Sequence, residues 1–116
     1  MDKEELLKSI KESRGFVEDF HEVLASRDPE LLESWSEVWS RAFKFTSLDS
    51  KTVSLIRMAV VSALRHEKAI EHSMDQAVAA GATPEEILDA IKVAFIFTGV
   101  PTLVTALSIY KRKFGV

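Results

Sequence analysis

The chain contains no cysteine. That absence removes disulfides, thiolate nucleophiles and every zinc or iron–sulfur site built on cysteine, and it leaves the redox compartment open. No charge of one sign dominates: 15 basic and 18 acidic residues are interspersed, for a formal net charge of −3. Nothing in that balance marks nucleic acid as a partner, and no polybasic segment marks a membrane surface. The opening MDKEELLKSIKES is charged and amphipathic, without an apolar secretory segment. The cytoplasm is the expected location. Strand-like alternation and low-complexity tracts are also missing. Glycine and proline are sparse, at 4 and 3 residues in 116, and they fall at the edges of helical patterns.

One long uncharged run is present, Val93 to Tyr110. Its length meets the threshold for a membrane span. Thr98-Gly99-Val100-Pro101 interrupts it, however, and glycine followed by proline reads as one helix ending and another beginning. Two buried helices of a soluble protein, partly at a subunit contact, are the better reading.

The rest of the pattern is helical. Asp2 caps a first short helix with Leu6, Leu7 and Ile10 on one face, and Gly15 marks its end. Phe16, Val17, Phe20, Val23 and Leu24 make the face of a second helix. Asp28-Pro29 restarts the chain with a capping residue and a proline at the first helical position. Leu31, Trp35, Val38 and Ala42 follow at helical spacing. Ser47-Leu48-Asp49 caps a helix running to about Arg65, apolar over much of its circumference and therefore expected to be central. A further helix spans about 66–80 and stops at Gly81. Thr83-Pro84-Glu85-Glu86 is a capping box for the next. The last helix begins at Pro101 and ends in Lys111-Arg112-Lys113, cations suited to a helix C-terminus. The expectation is a single all-α domain over residues 1–116, with six or seven helices and short connections.

The stretch Arg65-His66-Glu67-Lys68-Ala69-Ile70-Glu71-His72 concentrates two histidines and two glutamates. It is not a metal motif. His66-Glu67 begins like H-E-x-x-H, but position 70 is Ile. His66 and His72 are six residues apart, about 240° around a helix and roughly 9 Å along it, so they cannot share one ion from the same helix. No metal or cofactor is expected. Glu67, Glu71 and Asp75 form an acidic stripe at four-residue spacing, read either as carboxylates for proton transfer or as a solvated face. His21 reads as a surface residue. Arg57 is the lone charge between Thr52 and Leu64 of an otherwise apolar helix, with Ser50 and Ser54 on the same polar edge. It fits a substrate carboxylate, or alternatively an acid across a subunit contact. Trp35, Trp39, Phe43, Phe95 and Phe97 read as core or interface.

Three stretches carry a resemblance when taken together. They are Gly15-Phe16-Val17 with Pro29-Glu30-Leu31-Leu32-Glu33-Ser34-Trp35, then Leu48 to Ile56 (LDSKTVSLI), then Ala79 to Ile87 (AAGATPEEI) with Gly99-Val100-Pro101. In order and spacing they resemble the carboxymuconolactone decarboxylase and alkylhydroperoxidase D-like family over nearly the whole chain. The resemblance implies an all-α bundle that assembles as a trimer or hexamer. In the peroxidase-like branch a glutamate, a C-x-x-C pair and a histidine would fall on Ser54, His66, Ala69 and Ser73. All four differ here, so thiol peroxidase chemistry by that route is excluded. The decarboxylase branch matches better at Glu67 and at Thr98-Gly99-Val100-Pro101, although its histidine too falls on Ser73, with His72 adjacent.

By this resemblance His66 occupies a reactive position, where an imidazole could act as general acid or base. The plainer reading is an exposed histidine at a helix N-terminus. The functional expectation is a cofactor-independent, decarboxylase-like enzyme on a small carboxylated lactone or related acid. His66, Glu67 and His72 are its candidate catalytic residues, and Arg57, Ser54 and Ser73 its candidate substrate contacts. The other reading is a non-catalytic member serving as an oligomeric binding or assembly module.

Overall fold

A computed structural model describes residues 2–116 and is all-α. Its described residues form seven helices and no strand. They group into two compact units, one through Phe45 and the other from Thr46 to Val116.

The N-terminal unit holds α1 (Lys3–Arg14), α2 (Asp19–Arg27) and α3 (Pro29–Ala42). Asp2 caps α1, its Oδ1 accepting from the Glu5 N–H at 2.8 Å. Asp28 caps α3 in the same way through the Leu31 N–H at 3.2 Å. Leu6, Ile10, Ala25 and Leu32 are buried together, with Leu7, Val17, Leu24 and Trp35 packed around them. The second helix starts later than the sequence pattern suggests. Phe16 and Val17 lie before it, because Gly15 turns left-handed (φ 88°) to end α1 and Glu18 becomes the N-cap of α2. The expectation for His21 is overturned: the ring is fully buried, held by contacts to Arg14 and to the Glu18 backbone. A polar neighbourhood in sequence, Glu18-Asp19-Phe20-His21-Glu22, concealed a residue that points inward from the third helical position.

The second unit holds α4 (Ser50–Leu64), α5 (Glu67–Ala79), α6 (Pro84–Thr98) and α7 (Val100–Phe114). Met58, Ile70, Met74, Ile87, Ile91 and Ile109 are sealed in its core. Each contributes about 1.5–3 kcal/mol of burial. As expected for the most apolar helix, α4 packs against three others, α5, α6 and α7. Asp49 caps α4, with Oδ1 accepting from the Thr52 N–H at 2.7 Å. That bond holds the Asp49 carboxyl below its ordinary range. The Thr83–Glu86 capping box forms as the sequence predicts, with bonds of 3.0 and 3.1 Å.

Three side-chain ties lock these helices. Lys51 Nζ meets Glu86 Oε2 at 2.7 Å, joining the first turns of α4 and α6. The Tyr110 hydroxyl donates to the Pro84 carbonyl at 3.1 Å, and Lys113 Nζ meets Asp75 Oδ1 at 2.7 Å. The long uncharged run is broken at Gly99 (φ 91°, ψ 179°), a conformation nearly confined to glycine. The last helix therefore begins at Val100, with Pro101 inside its first turn. Among the described residues, no helix is long and apolar enough to cross a membrane.

Candidate functional site

The turn between α4 and α5 sets the site. Arg65 takes the left-handed conformation (φ 56°) and ends α4, and His66 becomes the N-cap of α5. Its Nδ1 accepts from the Ala69 N–H at 3.1 Å. This is the work usually done by Ser, Thr, Asp or Asn at such a position. The ring is otherwise exposed.

From there α5 runs beside α4. At 100° per residue, His66, Ala69, Ser73 and Gln76 follow one another in steps of three and four and form one stripe. Ser73 is buried, while Ala69 and Gln76 are half-buried. Arg57, from the middle of α4, donates through Nη1 to Gln76 Oε1. His72 flanks the stripe, half-buried and one turn before Gln76, about 6 Å along the axis. Ser54 lies three residues before Arg57 on the same edge of α4, also half-buried. Arg57 and Gln76 thus meet across α4 and α5, with Ser54 about one turn from Arg57 on α4, and His72 and Ser73 within about one turn of Gln76 on α5.

It leaves the others apart. His66 is ten residues from Gln76, about 15 Å along the helix, so one small molecule held by Arg57 does not reach its ring. Glu67 is about 180° around α5 from Gln76 and is exposed. Glu71 is about 140° around α5 from Gln76 and Asp75 about 100°, and Asp75 is engaged by Lys113. Gln76 was not singled out by the sequence reading. The three-four-three spacing from His66 was the signal that could have found it.

A separate open groove of about 390 Å³ runs between α4 and α6. Thr52, Leu55, Ile56 and Ala59 form one wall, and Glu86, Asp89, Ala90 and Val93 the other. None of the sequence-predicted site residues lines it. Glu86, at one end, has its carboxyl held below the ordinary range by Lys51 first and by the Thr83 backbone second. Among the described residues, no three histidine, aspartate or glutamate side chains come together as metal ligands would.

Comparison with known proteins agrees with this architecture. Residues 29–112 match the model of the carboxymuconolactone decarboxylase family. An uncharacterised protein of Methanocaldococcus jannaschii is 35% identical over 85 residues, covering 73% of this chain and 79% of that one. A second from the same organism is 31% identical over 91 residues, covering 78% and 88%. The crystal structure of a proposed carboxymuconolactone decarboxylase from Burkholderia xenovorans LB400 superposes with a TM-score of 0.79. That pair shares 19% identity over 93% of this chain and 87% of the other, a likeness of fold. With the family model spanning most of its length, the chain belongs to the carboxymuconolactone decarboxylase family.

Proposed function

We propose that the chain is a decarboxylase-like enzyme acting, without a cofactor, on a small carboxylated lactone or a related acid. The observation that carries this reading is the Arg57–Gln76 bond, with His72 one helical turn away on the same side of α5. A neutral amide adds no opposing charge to the guanidinium it bonds, and the planar fork of Arg57 suits a carboxylate. An imidazole about 6 Å further along the helix is placed to meet the carbon end of a molecule of that size.

The chemistry this would support is short. The bond from ring carbon to carboxylate breaks, CO2 leaves, and the electron pair passes into the conjugated carbonyl of the substrate. His72 gives a proton to the carbon, and a proton from water restores it. Arg57 holds the substrate carboxylate in position and its positive charge steadies the carbanion-like centre. Distance favours His72 over His66 as the acid, and orientation sets Glu67 outside the reacting group.

The test is CO2 release from 4-carboxymuconolactone by the purified protein, beside His72→Gln, His66→Ala and Arg57→Met variants. The reading expects activity that falls by about 10²–10⁴-fold in His72→Gln and survives in His66→Ala. Activity lost with His66 instead would move the site to the α5 N-terminus. No release by the unaltered protein would favour the binding-module reading.

A second feature supports self-association whichever reading holds. Ile56, Val60 and Leu64 form an exposed apolar line on α4, and Val93, Ile96 and Phe97 continue outward exposure on α6. Leu64 and Ile96 are each 71% exposed and Phe97 84%. Large exposed apolar surface of this kind is what subunit contacts cover, and we propose a trimer or hexamer of this chain.

A further inference from the structure

The N-terminal unit buries a histidine that the chemistry above does not use. The His21 ring lies against Phe20, with centroids 3.9 Å apart, and against Trp35 at 5.2 Å. The Glu18 backbone N–H points at Nδ1 from 2.9 Å, the bond that closes the first turn of α2. On the other side, Nε2 is 3.3 Å from Nη1 of Arg14. The Arg14 guanidinium in turn sits 4.1 Å from the Trp39 ring centroid and 5.1 Å from those of Phe16 and Trp35.

Both ring nitrogens therefore face N–H donors. A neutral imidazole has one bare nitrogen and can accept from one of them. A protonated imidazole has none and accepts from neither. Protonation would also set a second cation against Arg14, which stays charged across the working pH range. α1 presents Arg14, α2 presents Glu18 at its own N-cap, and α3 presents the uncharged Trp35 ring. Burial and then Arg14 push the His21 imidazole below its ordinary value, against a smaller opposing pull from Glu18.

We propose that His21 is an acid-sensitive latch: uptake of one proton by this ring opens the packing of α1, α2 and α3 while the α4–α7 unit stays folded. The sign follows from linkage. The unfolded segment binds a proton near pH 6.5, and the folded ring binds it only at lower pH. The stability contributed is complete above that value and is lost as pH falls below it, until the folded ring itself protonates.

The test is amide hydrogen exchange by NMR on the full chain, at about pH 7.5 and about pH 5.5, corrected for intrinsic exchange. Leu6, Ile10, Ala25 and Leu32 should lose protection in acid, by up to tenfold for each unit separating the folded and unfolded values. Ile70, Met74, Ile87 and Ile91 should keep theirs. A His21→Gln variant retains an acceptor at a position where a capping box favours glutamine, and it should hold its N-terminal protection at both pH values. Equal loss in both units would overturn the proposal, as would acid loss that persists in His21→Gln. Should that variant fail to fold, the imidazole titration of the unaltered chain decides. A His21 ring that takes up its proton while Leu6 and Ile10 stay protected would overturn the latch, and protection lost together with that titration would support it.

Discussion

Arg57 and Gln76, nineteen residues apart, meet side chain to side chain across the α4–α5 hairpin, Nη1 to Oε1. The glutamine carries no charge of its own, so it fixes the guanidinium without neutralising it. Gln76→Glu should therefore be worse for a carboxylate-binding site than Gln76→Ala. The new acid would pair with Arg57 and compete with substrate. Steady-state kinetics should show KM raised in both variants, with the larger rise in Gln76→Glu. Equal values would mean that Arg57 does not bind the substrate carboxylate.

His66 caps α5 with an imidazole nitrogen, where aspartate would bring both a better acceptor and a negative charge at the helix N-terminus. His66→Asp should stabilise the protein by about 0.5–1 kcal/mol in urea unfolding. It should leave CO2 release intact under the assignment to His72. A more stable but inactive variant would return the acid–base role to His66.

Glu86 serves two partners at once, Thr83 through Oε1 and Lys51 through Oε2. Its carboxyl is held below the ordinary value of 4.5. The stability it contributes is present above that value and is lost as pH falls through the lower, folded value. Glu86→Gln should lower Tm at neutral pH, and the gap between variant and parent should close in acid. A gap that stays constant down to the acid end would show that the charge of Glu86 is not what matters.

Gly99 occupies a backbone region that other residues enter at a cost of about 1–3 kcal/mol. A Cβ there would meet only Pro101 Cδ at 3.8 Å, so the cost is conformational and not steric crowding. Gly99→Ala should lower the unfolding free energy by that amount in denaturant titration, with an unchanged m-value.

Phe97 is the most exposed of the aromatic side chains, at 84%. Phe97→Asp should leave the fold intact by circular dichroism and reduce the particle mass measured by light scattering. An unaltered chain that is already monomeric at micromolar concentration would end the assembly proposal.

Much of the fold was legible because helix boundaries are written in local chemistry. Asp2, Asp28, Asp49 and Thr83 each cap the helix that the sequence assigns to them. Gly15 and Gly81 end helices with positive φ, as expected of them. α2 starts later than its apolar pattern indicates because its N-cap is closed by a histidine nitrogen, which carries no familiar signature. The burial of His21 is hidden in the sequence for a related reason. Charged neighbours on both sides made it look solvated, and only the fold brings Arg14, Phe20 and Trp35 around it. At the candidate site, the single arginine on α4 stood out against its apolar helix. Gln76 did not, since its three-four-three spacing from His66 marks only a shared helix stripe and names no partner until Arg57 is seen to touch it.

The hairpin of α6 and α7 is closed at both ends, by Gly99 at the bend and by Tyr110 bonded to Pro84 at the open side. A pulling force on the C-terminus would load these contacts in sequence. Lys113–Asp75 lies nearest the pulled end and would give way first, then Tyr110–Pro84, and the rest of α7 would peel toward the glycine turn one helical turn at a time. Under tension this helix would behave as a zipper clasped to α6 by a phenol, and removing that hydroxyl would lower the force at which it opens without changing the helix it fastens.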